Sequence, residues 1–450
     1  MNKNMLTFVN HASFHVANDE TLLLVDPWVE GAVFNNGWSL LDTSTSNAAL
    51  VRQLGARQLK TYIWFSHEHP DHFSISFIKK LKQDFVGNVT MLFQQTKDKR
   101  VIGFLQKNGF DVIECAPGKT VALDDSMSIT VFPYSDGDSY SLIKSGERTI
   151  LNLNDCALTS AAMCSEVRAK IAPLASKIDL LFTQFGYANW VGNPFEPGLR
   201  RNAAAEKRKR ISLQMEAFEP AVTVPFASFV SFASIENSYL NDYQNSAYTI
   251  RQWASLSPVT ETLRFMKPGD VIDLESVTPA SMARMSQAAV EHWEQLGGVR
   301  DFLSIEPSAS AAEVVAAFNR HRTSVAANLP LLPYMLEKLG LVTPLTLHMP
   351  DIHLTARFSY VNGYKALPTG TSFDISMTSS SAVFLFANEY GFNTTHVNGR
   401  FRTASPGALQ RFSRFFMPQN LGRQGYGIRH PLATAGHLAG NVLGRLRASA

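Results

Sequence analysis

The residues best suited to chemistry are Ser66-His67-Glu68-His69-Pro70-Asp71-His72, where four potential metal ligands fall within six positions. His67 and His69 are spaced i, i+2, so on extended backbone both side chains leave the same face. Asp71 and His72 follow on a turn and can point elsewhere. Such a cluster can hold two cations side by side, and imidazoles with carboxylates suit zinc, iron or manganese. A single loop histidine reads as a solvated side chain. A His-x-His-x-Asp-His run directly after an apolar strand reads as a metal centre. Glu68 and Pro70 receive no metal role.

The elements that must position this run alternate along the chain. Residues 6–9, 13–16 and 22–25 are short β-prone segments with polar breaks, the last stopped by Pro27. A helix is predicted over 48–58. A buried strand over 60–65 delivers the cluster, and a helix over 74–85 carries Ile75, Phe77, Ile78 and Leu81 at helical spacing. Strands follow at 89–93 and 111–114 around a helix at 97–108, then β-rich segments at 128–132, 140–144 and 149–153. A helix over 158–176, a strand at 178–183, a helix over 202–218 and a strand at 221–225 complete the pattern. Two rounds of strands and helices suit a sandwich of two mixed sheets covered by helices. After Lys267-Pro268-Gly269-Asp270 helices dominate from 279 to about 339. β-rich segments are predicted at 345–349, 353–361 and 382–386, and a weakly amphipathic stretch at 434–446. The expected boundary near 275 gives a catalytic domain over 1–275 and an accessory or substrate domain over 276–450.

Composition narrows the class. At 450 residues the chain exceeds one compact core. With 45% hydrophobic and 18% charged residues it is an ordinary globular protein, and 30 Phe suggest well-filled sheet cores or an apolar pocket. The formal net charge of +3 and the absence of a long Lys/Arg face argue against a nucleic-acid binder. The dense run Lys207 to Arg210 reads as a solvated helix end, or as a contact for an anionic ligand. Cys115, Cys156 and Cys164 are too few for a disulfide framework or a four-thiolate metal site, and a reducing compartment is expected. The first residues hold no apolar signal core, and no apolar run approaches the ~20 residues of a membrane span. The expected location is cytoplasmic and the expected partner a small-molecule substrate.

The run 66–72 resembles the signature of the metallo-β-lactamase superfamily. Asn10-His11-Ala12-Ser13-Phe14 and Leu24-Val25-Asp26-Pro27-Trp28 resemble its opening strands, and Asn152-Leu153-Asn154-Asp155-Cys156 the strand end bearing its metal-bridging aspartate. The resemblance covers about residues 6 to 275. It is nearest to the branch of CMP-N-acetylneuraminate hydroxylase-like proteins, with ascorbate-phosphate lactonases further off. The segments Gln184 to Trp190, Ile235 to Asn241 and Val397 to Phe401 carry that narrower likeness. It implies an α/β (α+β) chain with an αββα sandwich and a C-terminal α+β accessory domain. It also implies one or two divalent metal ions: His67 and His69 on the first, Asp71 and His72 on the second, Asp155 bridging.

Two departures from the family pattern matter. No histidine lies between His72 and His292, where the family adds a ligand. Asp138 is the first replacement and Asp136 the second, each otherwise a polar turn residue. The family's last histidine is also missing; Glu236, beside Asn237, either supplies an oxygen or is a surface carboxylate or helix cap. An oxygen-richer shell favours iron or manganese and leaves a mononuclear centre open. His11 either faces the metal cleft in a catalytic role, with Asp71, or packs behind it. Asp26 is expected to orient a ligating histidine. Tyr187 and Trp190 either line a substrate pocket or belong to the core. Arg400 reads as a surface arginine or an anion contact. Three functions follow: a hydrolase using metal-bound hydroxide on an ester, lactone, amide or phosphodiester; an iron-dependent oxygenase of an amino sugar, nucleotide sugar or other metabolite, needing a separate electron donor; or a degenerate metal-binding protein.

Overall fold

The computed structural model describes residues 4–256, 261–297 and 306–423. The 434–446 stretch and the side chain of Asp136 lie outside the described residues. The chain divides into two compact units: Met1–Ala188 with Pro197–Ala233 and Leu240–Asp301, and Asn189–Glu196 with Ser234–Tyr239 and Phe302–Ala450.

The first unit runs β1 (Met5–Asn10), β2 (Ser13–Ala17), β3 (Thr21–Val25), β4 (Trp38–Leu40), α1 (Asn47–Ala56), β5 (Lys60–Phe65), α2 (Ile75–Asp84), β6 (Val89–Gln94), α3 (Arg100–Lys107) and β7 (Asp111–Cys115). It continues through β8 (Thr120–Ala122), β9 (Met127–Pro133), β10 (Ser139–Ser145), β11 (Arg148–Asn152), α4 (Ala161–Ile171), β12 (Leu180–Gln184), α5 (Pro197–Phe218), β13 (Val222–Phe226) and β14 (Val230–Phe232). It ends with α6 (Ala247–Ala254), β15 (Val271–Asp273) and α7 (Ala283–Gly297). One sheet has the order β15-β1-β2-β3-β5-β6-β7, the other β13-β12-β11-β10-β9-β8; β14 and β4 form a small ribbon.

Strand periodicity makes these sheets into layers. Phe14, Tyr62 and Trp64 of the first sheet share one buried cluster with Ile129, Ile143 and Phe182 of the second. The Phe14 and Phe182 rings stack across the seam at 4.4 Å. The alternate residues Ile63, Phe65 and Phe93 pack instead under Leu50, Phe77 and Ile102 of α1, α2 and α3. On the far side of the second sheet, Leu142, Leu151 and Leu181 pack under Cys164 and Val167 of α4 and Phe218 of α5. The order is therefore helix, sheet, sheet, helix. β5 is buried at every position but its first because both its faces are covered.

The second unit holds α8 (Ala311–Asn328), α9 (Leu332–Lys338), β16 (Leu345–Met349), β17 (Leu354–Ser359), β18 (Gly363–Leu367), β19 (Ile375–Ser376), α10 (Ser379–Ala387), α11 (Gly391–Asn398), β20 (Arg402–Thr403), α12 (Ala408–Phe415) and α13 (Met417–Arg423). Its sheet order is β18-β17-β16-β19-β20. Phe318, Phe358, Phe386 and Phe415 meet in its core.

Two differences from the sequence reading have physical causes. Residues 382–386 form helix α10, not a strand. A short apolar run has no readable period, and the Thr378 side chain caps the helix by accepting from the Ser381 N–H. Helix α7, beyond the expected boundary near 275, belongs to the first compact unit. Trp293 of α7 stacks on Phe229 at 3.9 Å and donates from Nε1 to the Met266 carbonyl, which keeps α7 in the first unit.

Candidate metal centre

β3, β5, β11 and β12 end at one rim of the sandwich, because β3 and β5 run parallel within their sheet and β11 and β12 within theirs. The β1–β2 hairpin and the start of β10 reach that rim as well, through antiparallel pairing to Val25 by way of Phe14 and to Asn152 by way of Ser141. The turns leaving these strands carry the candidate residues. Three of them, His11, Asp26 and Asn154, hold left-handed backbone at φ 35°, 39° and 52°. Such conformations are costly for non-glycine residues and persist where surrounding contacts enforce them.

The enforcing contacts centre on Asp26, which is fully buried. Its carboxylate accepts from Ser66 N at 2.8 Å, Ser66 Oγ at 2.6 Å, Asn154 Nδ2 at 2.6 Å and His72 Nδ1 at 3.0 Å. The last bond places the His72 proton on Nδ1 and leaves Nε2 with a lone pair. Ser66 donates its one hydroxyl proton to Asp26, so its Oγ accepts from His67 Nδ1 at 2.9 Å. That leaves His67 Nε2 with a lone pair as well. The same turn is tied to the second sheet by Ser139 Oγ, which donates to the Ser66 carbonyl at 2.6 Å and so brings Asp138 beside it.

The lone pairs converge. His72 Nε2 lies 3.4 Å from Asp71 Oδ2 and 3.6 Å from Asp155 Oδ2, and His11 Nε2 lies 3.5 Å from Asp71 Oδ2. His67 Nε2 is 2.9 Å from His69 Nδ1 and 3.9 Å from Asp138 Oδ1. Ligands about 2.1 Å from a common ion stand roughly 3–3.5 Å apart; the His72–Asp71, His11–Asp71 and His67–His69 separations match that spacing, and Asp138, at 3.9 Å, stands outside it. Two groups have ligand atoms all within 4.8 Å of one another: His11, Asp71 and His72; and His67, His72 and Asp155. His72 Nε2, both ring nitrogens of His11 and Asp71 Oδ1 are buried without a hydrogen-bond partner. A cation among these atoms would relieve that cost.

Electrostatics point the same way. Burial lowers His67 to about 4 and also lowers His69, which keeps both imidazoles neutral and ligating. Burial would lower His72 too, but Asp71, Asp155 and Asp26 together hold it well above the usual imidazole range, so its Nε2 lone pair becomes available when a cation displaces the second proton. Asp155 would rise on burial, but His72 and His67 hold it at about 2. Carboxylates gathered in this way attract positive charge.

The structure brings together His11, Asp26, His67, His69, Asp71, His72, Asp138 and Asp155. It engages the other sequence candidates elsewhere. Tyr187 Oη donates to the Leu240 carbonyl, and its ring lies 6.4 Å from that of Phe232. Trp190 stacks on Phe401 at 5.0 Å within the second unit. There Glu236 pairs with Arg400 at 3.3 Å, and Asn237 donates to the Asn398 carbonyl. Among the described residues Glu236 joins no ligand group. Its ion-pair partner, Arg400, is a buried arginine that also meets Glu306 at 3.1 Å. The Cys156 thiol is pushed up by burial, which disfavours the thiolate.

Three contributors were given no place at the metal centre by sequence reasoning: Asn154, Gln184 and Lys207. Gln184 ends β12 and donates from Nε2 to Asp155 Oδ1 at 3.0 Å. Lys207 of α5 donates to Gln184 Oε1. Burial, with Arg210 adding, brings its ammonium down to about 8, against the opposing pull of Asp155 and Asp138. The run around Lys207 was the available signal; a solvated helix end was its commoner reading.

No family model matches the chain. It is 23% identical over 293 residues to the cytidine monophosphate-N-acetylneuraminic acid hydroxylase of Danio rerio, covering 60% of this chain and 46% of that protein. It is 24% identical over 287 residues to the Mus musculus hydroxylase of the same name, covering 60% and 47%. The chain thus spans about half the length of the curated relatives it matches. Among solved structures it is similar to a mutant of the CmlA beta-hydroxylase, at 18% identity and a TM-score of 0.41, over 60% of this chain and 54% of that one. The four layers of the first unit, with the ligand-bearing turn after β5, form an αββα sandwich.

Proposed function

We propose that the chain is a metal-dependent hydrolase acting on a small-molecule ester, lactone, amide or phosphodiester. The observation that carries this reading is the convergence of unpartnered, buried His72 Nε2, His11 Nε2 and Asp71 Oδ1 beside His67 and Asp155. The residues fit one or two divalent ions of zinc, iron or manganese. His67 and His69 would hold one, with Asp138 at its edge. Asp71, His72 and His11 would hold the other, with Asp155 shared. His11 then takes up the ligand count left short by the missing histidine. Such ions, when bound, supply hydroxide near neutral pH and polarise the oxygen of the group attacked.

The chain's own residues do the rest. Asp26 and Ser66 fix the ring orientations of His72 and His67, so that both Nε2 atoms face inward. The near-complete burial of His11, His67, Asp71 and His72 keeps bulk water from competing with substrate. Asp71 Oδ2 and His11 Nε2 stand 3.5 Å apart, both buried, so that each fixes the position of the other.

An oxygenase is the second reading. The likeness to hydroxylases and the carboxylate-rich shell favour it, and it requires iron and an external electron donor. Elemental analysis after metal-replete purification, followed by ester, lactone and phosphodiester turnover, separates the two. Zinc or manganese with hydrolysis supports the hydrolase; iron with oxygen-dependent turnover and no hydrolysis replaces it. His69→Ala and Asp155→Ala are each expected to lose metal and activity while keeping the fold, and unchanged metal content in both variants overturns the assignment.

A further inference from the structure

Helix α5 brings a basic pair to the edge of the proposed centre. Lys207 and Arg210 are spaced i, i+3, which puts them on one helix face. Both are half-buried. Neither has a carboxylate within ion-pair distance among the described residues; the hydrogen bond that Lys207 makes is to the Gln184 side chain. Arg210 Nε is buried without a hydrogen-bond partner. Gln184 spends its amide N–H on Asp155 Oδ1, so the Lys207 ammonium stands one amide group away from a residue of the proposed centre. The Asp155 and Asp138 carboxylates act on Lys207 from beyond ion-pair distance, and Glu206 on the same helix, then Tyr134 in the turn that carries Asp138, act on Arg210.

Two like charges, partly desolvated and side by side, cost stability unless an anion lies between them. Gln184 is neutral and takes one of the three ammonium donors; two remain. Arg210 offers a planar fork suited to carboxylate or phosphate. An oxyanion seated there would also hold a small molecule at a fixed distance from Asp155, which is what orientation of a reacting group requires.

We propose that Lys207 and Arg210 form an anion subsite that binds a phosphate or carboxylate group of the substrate beside the metal centre. The proposal rests on the metal-dependent reading for what the substrate meets next, and its test is separable from that reading. Inorganic phosphate and, in parallel, acetate are titrated calorimetrically into the metal-loaded protein, and metal content is measured on the same samples. Phosphate binding that exceeds acetate binding identifies a phosphate-bearing substrate, and the reverse a carboxylate-bearing one.

In Lys207→Met the preferred anion is expected to bind about tenfold or more weakly with metal content unchanged. Arg210→Gln should weaken it several-fold. Lys207→Arg, which keeps the charge, should retain binding, and Lys209→Met, an exposed lysine on the same helix, should leave it as in the wild type. Three outcomes overturn the proposal: neither anion binds the wild type, Lys209→Met weakens binding as much as Lys207→Met, or Lys207→Met loses metal and anion together. The last would make Lys207 a positioning residue for Asp155. A wild type that binds no metal refutes the metal reading by itself, and the calorimetric comparison then decides the basic pair alone.

Discussion

Asp26 is placed behind the ligand set, yet four donors end on its carboxylate and two of them set histidine geometry. Asp26→Asn keeps the size but withdraws the negative charge that holds His72 Nδ1–H. Metal affinity is expected to fall about 10–100-fold, as for other groups that orient ligands, with little change in circular dichroism; a competition titration against a chelator measures it. At this scale much of the site was legible. His67, His69, Asp71 and His72 are contiguous, and the turn chemistry at Asp26-Pro27 pointed to a supporting role. Gln184 was not legible as a site residue, because nothing local marks it, and Lys207 was legible only as part of a basic run whose two readings the sequence left open. Their approach to Asp155 depends on β11, β12 and α5 packing in one order. His11 stood open between core and cleft; its Nε2 lies 3.5 Å from Asp71 Oδ2, and neither ring nitrogen has a hydrogen-bond partner.

Among the elements, β5 was readable to its ends, because a run with both faces apolar and a histidine turn behind it leaves little choice. α10 was not. Ala382 to Phe386 offers five apolar residues and no period, and the deciding information is the cap at Thr378 and packing on α8. The tight passage from α10 to α11 gives an element-scale test. A Cβ at Gly391 would sit 2.1 Å from the Leu385 carbonyl oxygen, a backbone atom that no rotamer change can move. Gly391→Ala is expected to cost about 1–3 kcal/mol, read as a lowered unfolding midpoint of the second unit in denaturant titration, with metal content of the first unit unaltered.

For the whole molecule, two cores mean two sets of stability determinants. In the second unit His321 is buried among Phe318, Phe386, Phe415 and Phe416 and bonds Tyr360 Oη at 3.0 Å. Burial lowers its pKa to about 4. The folded state therefore releases a proton that the unfolded chain keeps below about 6.5, so stability is complete above that pH. It is lost at about 1.4 kcal/mol per pH unit as pH falls toward 4. Thermal melts from pH 7 to 4.5 should show the second unit weakening on acidification, and His321→Leu should flatten that slope; an equal slope in both proteins would remove His321 as its source. The first unit poses a different problem. His11, His67, His69, Asp71 and His72 hang from one sheet and Asp138 and Asp155 from the other. A cation that took Asp155 together with His67 and His72 would work as a clasp across the seam. Chelation is therefore expected to speed amide hydrogen exchange at the rim ends of β5 and β11 together, leaving their far ends as slow as before.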